Sequence, residues 1–131
     1  MIVVDTSALI AILKNEPDAA LFAKAIGDAD DCFLSAVSLL EGGLVAIGLG
    51  AESAADDLDD LVRLHEIKIV PFDADLAAIA RDAFIRFGKG RHPAGLNMGD
   101  CASYALAKAL GLPLLFKGDD FSQTDVLSAL A

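Results

Sequence analysis

The spacing of apolar residues changes period several times along the chain, and each change predicts a new element. Ile2-Val3-Val4 is an unbroken β-branched run, as suits a strand buried on both faces of a parallel sheet. A helical pattern takes over at Thr6 and runs to about Lys14. Asn15-Glu16-Pro17-Asp18 breaks it, with Pro17 placed to open a second helix through Ala19, Phe22 and Ile26 to a stop at Gly27. Cys32-Phe33-Leu34 predicts a second strand, and Ser35 is a good N-cap for the Ala/Leu/Gly helix beyond it. A further helix spans about Glu52 to His65, with Asp56, Asp57, Asp59 and Asp60 on a solvated face. Ile67 to Val70 is a third strand closed by Pro71, after which Asp73 caps a helix through Leu76, Ile79 and Phe84. Phe87 to Leu96 is the longest irregular connection. Asn97 starts a helix that ends at Gly111, Leu112 to Phe116 gives a fourth strand with Pro113 at its start, and a last helical turn lies beyond Ser122.

Strands that alternate with helices imply right-handed crossovers and a three-layer α/β/α fold around a central parallel sheet of four or five strands. At 131 residues the chain fits one domain, 1–131, with a single sizeable core. An apolar fraction of 55% is high for such a chain and leaves surface for a partner. No apolar run approaches the roughly 18 residues of a membrane span, and no leader pattern opens the sequence, so a cytoplasmic protein is expected.

Charge narrows the chemistry. A net charge of -10 argues against generic attraction to polyanions. One local exception, Arg86, Lys89, Arg91 and His92 in a glycine-containing stretch, is either a solvated loop or a phosphate contact. The two cysteines, Cys32 and Cys101, fall inside predicted elements and suggest no disulfide. His65 and His92 lack companions at zinc spacing, so any metal is held by oxygen.

The acids carry the chemical signal. Asp5 ends the first strand, where open α/β sheets bind ligands beyond the carboxyl ends of their strands; its ordinary alternative is a helix cap. Asp100 lies three residues after Asn97 and also suits a capping box. Asp119 and Asp120 follow the last strand, where a turn often uses Asp. Glu41 is harder to explain as structure. The spacing of Val37, Leu40 and Leu44 predicts a buried helix face that includes it, with no basic partner nearby and with Gly42 and Gly43 following directly. Acids gathered at one end of a parallel sheet would repel, and a divalent cation is the natural counter-charge. Mg²⁺ or Mn²⁺ fits, being hard and able to keep several waters.

These residues carry a resemblance. Val-Val-Asp5-Thr6-Ser7-Ala8-Leu9, the helix segment Ser35 to Glu41, the segment Leu96 to Ala107 containing Asn97-Met98-Gly99-Asp100, and the tail Leu114 to Asp125 occur in the order seen in PIN domains. The chain resembles in particular a VapC-type toxin ribonuclease of bacterial toxin–antitoxin pairs. The resemblance implies a Mg²⁺- or Mn²⁺-dependent endoribonuclease with Asp5, Glu41 and Asp100 as catalytic and metal-binding acids. Asp119 is the choice for the fourth acid and Asp120 the alternative, because Lys117-Gly118-Asp119-Asp120-Phe121 lacks the family's usual small polar residue. Ser7 is expected to orient Asp5 or a metal-bound water, and Thr124 to add a polar contact. Arg86, Lys89, Arg91 and His92 are candidates for RNA contact.

The expected chemistry is in-line hydrolysis by a water acidified by the cation, with Glu41 or Asp100 as base and one ion or two. A specific folded RNA, such as a tRNA, suits the acidic surface better than bulk single strands. The resemblance also implies a cognate antitoxin, for which Leu9, Ile12, Leu13, Leu21 and Phe22 are groove candidates if they are not core; a homodimer is a second use of the surplus apolar surface. Two rivals stand: a catalytically silent metal- or RNA-binding module, and an aspartyl-phosphate phosphotransferase. The second is disfavoured because the haloacid-dehalogenase pattern places an Asp two positions after the first, where Ser7 stands.

Overall fold

The structure, a computed structural model, describes residues 1–130. Strands β1 (Ile2–Val4), β2 (Cys32–Ser35), β3 (Lys68–Val70) and β4 (Leu114–Leu115) form a parallel sheet in the order β3-β2-β1-β4. Val3 sits opposite Phe33 on one side and Leu114 on the other. The tail adds one parallel bridge, Ser128 to Leu114, which covers the outer edge of β4.

Alternation along the central strands builds two cores. Ile2, Val4, Leu34 and Leu115 face Leu9, Phe22, Ile26, Leu58 and Val62, which come from α1 (Thr6–Leu13), α2 (Ala19–Asp28) and α4 (Ser53–Leu64). Val3 and Leu114 face the opposite way, onto Leu76, Ala83, Tyr104 and Leu106 of α5 (Ala74–Phe87) and α6 (Met98–Leu110). A sheet covered on both faces is the three-layer α/β/α arrangement expected of short β-branched parallel strands. Leu9 and Phe22 are core, Ile12 and Leu13 pack partly against it, and only Leu21, 52% exposed, is available to a partner.

The fifth element in chain order, α3 (Ala36–Gly48), which follows β2, overturns the expected buried face. Its buried residues are Ser38, Gly42 and Ala46, whereas Leu40 and Leu44 are 62% and 61% exposed. The cause is close helix packing: a β-carbon on Gly42 would lie 3.0 Å from Leu58 Cδ2 and 3.4 Å from Thr6 Cγ2. Small side chains let α3 lie tight on α1 and α4, which turns its leucines outward. Val37 and Leu40 instead line an apolar hollow of about 470 Å³ with Phe72, Phe84 and Met98.

Smaller differences lie at the boundaries. Pro17 occupies the turn before α2, which starts at Ala19 and continues one residue past Gly27. The fourth strand is confined to two residues, and the last helical turn is a 3-10 turn at Phe121–Gln123, slightly earlier than expected. Gly111 ends α6 in the left-handed conformation at φ 65°. Among the described residues no helix is long and apolar enough to cross a membrane.

Candidate active site

Strand order places the site. The chain builds outward from β1 to β2 and β3, then crosses back so that β4 lies on the other side of β1. The loops after β1 and β4 therefore leave in different directions and open a crevice at their carboxyl ends, where α/β sheets bind ligands. Asp5 and Lys117 enter it from those two strand ends, Glu41 from α3, and Asp100 from the first turn of α6. All four line one cleft of about 310 Å³, together with Thr6, Ser7, Glu16 and Asn97.

Asp5 is only 3% exposed and is held by three donors. Its Oδ2 accepts from Ser7 N at 3.0 Å and Ser7 Oγ at 2.6 Å, while Oδ1 accepts from Ser103 Oγ at 2.5 Å. It is thus the N-cap of α1 and a member of the cleft at once. Behind it runs a buried hydroxyl chain: Ser103 Oγ lies 3.0 Å from Ser38 Oγ, and Thr6 Oγ1 donates to Ser38 O at 3.0 Å. Ser7 Oγ also accepts from Lys117 N at 3.0 Å, which ties the end of β4 to the start of α1.

Asp100 likewise has two roles. Asn97 Oδ1 accepts from Asp100 N at 2.9 Å and Asp100 Oδ2 accepts from Asn97 N at 3.1 Å, completing a capping box. Burial pushes its pKa up to about 6, against the Asn97 hydrogen bond, and the charges of Asp5, Glu41 and Asp120 push the same way. Burial also raises Glu41, with the Asp5 charge adding and the Thr6 hydroxyl opposing. Burial first, and the neighbouring carboxylates second, raise the proton affinity of Asp100 and Glu41, and oxygen donors in such a setting are of the kind a hard divalent cation takes. Among the described residues no three acids converge closely enough to chelate an ion.

The remaining candidates are placed differently. Asp119 and Asp120 are exposed at the rim and outside the cleft lining; Asp120 contributes to the field on Asp100. Thr124 closes the tail turn, donating to Phe121 O at 2.7 Å. Arg86 pairs with Asp125 at 3.5 Å and lies over the Phe87 ring at 4.7 Å. Arg91 Nε donates to Ile85 O at 3.2 Å, and His92 Nδ1 accepts from Ala94 N at 3.0 Å. The Arg86 pair ties α5 to the tail, the Arg91 and His92 contacts fold the α5–α6 connection, in which Lys89 is exposed, and none of the four basic residues lines the acid cleft.

The cation in the cleft is Lys117, whose Nζ reaches Glu16 Oε2 at 2.6 Å and Asp18 Oδ1 at 3.1 Å. Sequence reasoning gave it no role, and it also missed Ser38 and Ser103. A usable signal existed for the serines. Each lies three residues from a candidate acid on the same helix, Ser38 from Glu41 and Ser103 from Asp100, and residues at that spacing share a face.

The architecture is a parallel α/β sheet with a carboxylate-lined cleft at its topological switch point, where such folds bind ligands. Residues 2–127 match the PIN domain. The chain is 50% identical over 124 residues to a ribonuclease VapC of Mycolicibacterium smegmatis, covering 95% of this chain and 96% of that protein. It is 47% identical to ribonuclease VapC30 of Mycobacterium tuberculosis, with 95% of each chain covered. In structure it resembles Mycobacterium tuberculosis VapC20, described as a sarcin-ricin loop cleaving toxin, with a TM-score of 0.80, 17% identity and 97% of each chain covered; that likeness concerns the fold. The chain belongs to the PIN-domain family and, within it, to the VapC-type toxin ribonucleases.

Proposed function

We propose that this chain is a Mg²⁺- or Mn²⁺-dependent endoribonuclease that cleaves one or a few structured RNAs, a tRNA among the candidates, in the cytoplasm. The observation that carries the proposal is the meeting of Asp5, Glu41 and Asp100 in one cleft, from three separate elements, in a chain of the VapC type. A bound divalent cation supplies Lewis-acid chemistry, acidifying a water and stabilising charge on phosphodiester oxygens. Asp5, Glu41 and Asp100 hold that cation. Ser7 and Ser103 fix the Asp5 carboxylate, and Asn97 fixes one oxygen of Asp100. Glu41 or Asp100 takes the proton. The fourth acid comes from Asp119 or Asp120, and the field of Asp120 on Asp100 favours Asp120. Lys89 and Arg91, exposed in the α5–α6 connection, are retained as RNA contacts, while Arg86 and His92 are engaged within the fold.

A cognate antitoxin blocks the cleft, and the exposed Leu40 and Leu44 with the hollow beside them suit a homodimer or that partner. The test uses purified protein and total RNA, with Mg²⁺ or Mn²⁺ and with EDTA. Cleavage that requires the cation and disappears in Asp100→Asn supports the proposal; cleavage in EDTA contradicts it. Cation binding without cleavage of any RNA would favour the catalytically silent module.

A further inference from the structure

Gly99 is buried in the first turn of α6, immediately before Asp100. Its φ lies outside the left-handed range, so the local chain conformation does not demand glycine. The demand comes from another helix. A β-carbon built on Gly99 would fall on the Glu41 carboxylate, overlapping Oε2, Cδ and Oε1. Gly27, Gly43 and Gly48, also helical, face open space, so this contact is particular to Gly99. Glycine in a helix is also costly compared with alanine, which makes an unforced glycine here hard to explain.

We propose that Gly99 is a positioning residue: its missing side chain is the gap through which the Glu41 carboxylate of α3 lies against the start of α6, beside Asp100. A side chain at position 99 must displace the Glu41 carboxylate, the far end of a flexible side chain, from its place against the start of α6. The significance for catalysis rests on the proposed role of Glu41, but the contact itself is independent of it. This contact also explains how a residue flanked by the exposed Leu40 reaches the site: α3 turns its leucines outward, and Glu41 extends across to α6.

The test is a double-mutant cycle of wild type, Gly99→Ala, Glu41→Ala and the double variant, read by metal-free melting temperature and by Mn²⁺ calorimetry. In the wild-type background Gly99→Ala should lower the melting temperature and weaken Mn²⁺ binding by about ten-fold or more, as displaced supporting groups do at metal sites. In the Glu41→Ala background the same substitution should leave Mn²⁺ binding unchanged and leave the melting temperature unchanged or raised, because alanine is the better helix former. An equal loss of melting temperature in both backgrounds would overturn the proposal, as would wild-type stability and affinity in Gly99→Ala. Wild type that binds no Mn²⁺ would sink the metal proposal alone, with the melting cycle still deciding the Gly99–Glu41 pairing.

Discussion

Removing the Ser103 hydroxyl probes the site at its most buried point. Ser103 is fully buried, and its Oγ donates to Asp5 Oδ1 at 2.5 Å while lying 3.0 Å from Ser38 Oγ. Ser103→Ala deprives a carboxylate that is 3% exposed of one of its three donors and strands the Ser38 hydroxyl, itself 1% exposed. A hydrogen bond to a charged group contributes about 1.5–3 kcal/mol and an orphaned buried hydroxyl costs about 1 kcal/mol more, so a total loss of about 2–4 kcal/mol follows. For a domain of this size that corresponds to a fall of roughly 6–15 °C in melting temperature. The assay is urea unfolding of the metal-free protein, followed by circular dichroism. Ser38→Ala added to Ser103→Ala should recover part of the loss, because it removes the stranded group. A loss below about 0.5 kcal/mol, the level of an ordinary surface substitution, would refute the reasoning, as would a second loss of the same size from Ser38→Ala.

Three further outcomes are expected. Asp100, lifted to about 6, and Glu41, also raised, bind protons more tightly folded than unfolded, so metal-free stability should fall as pH rises from about 4 through about 6. Urea midpoints between pH 4.5 and 7 should show this slope in wild type and a shallower one in Asp100→Asn; a rising midpoint in wild type over that window contradicts the assignment. On α3, Leu40→Ser should change monomer stability by under about 0.5 kcal/mol, whereas Gly42→Leu should cost about 1–3 kcal/mol by overpacking against Leu58 and Thr6, both read by denaturant unfolding. Lys89→Ala with Arg91→Ala should weaken RNA binding and flatten its salt dependence without changing Mn²⁺ affinity, as filter binding at several salt concentrations would show.

What could be read from the chain divides along physical lines. Local signals carried well: the β-branched run ending at Asp5, the Ser35, Asp73 and Asn97 caps, and the Asn97–Asp100 box depend on residues a few positions apart. For Asp5 and Asp100 the capping role the sequence offered is observed, and each of these side chains also lines the cleft. Long-range facts were not legible. The Ser103–Asp5 bond joins residues 98 positions apart and the Lys117–Ser7 bond residues 110 apart, and no periodicity encodes either. The α3 face failed for a different reason. Hydrophobicity alone selects Leu40 and Leu44 for burial, but helices in close contact select for small size, and Ser38, Gly42 and Ala46 satisfied that demand. Gly99 carried no signal in the sequence for the same long-range reason: the carboxylate that a β-carbon there would meet, that of Glu41, belongs to a different helix.

The basic stretch shows how composition can mislead about a site. Arg86 is engaged by Asp125 of the tail and by Phe87, and Arg91 anchors its Nε on the Ile85 carbonyl, which leaves Lys89 and the exposed end of Arg91 as the accessible charge of that stretch. The cation that does line the cleft, Lys117, is itself engaged by Glu16 and Asp18 from the α1–α2 turn. The cleft therefore combines the carboxylates of Asp5, Glu41 and Asp100 with a lysine that is itself held by other acids.

The central claim is that Asp5, Glu41 and Asp100 form one RNA-cleaving site. It is tested most directly by sequencing RNA 5′ ends after induced expression of wild type and of Asp100→Asn, whose capping box an asparagine can still largely support. Discrete new ends at one or a few RNA positions in wild type, absent from an Asp100→Asn protein made at equal level, are the predicted result. The same ends in both, or none in wild type, would contradict the claim.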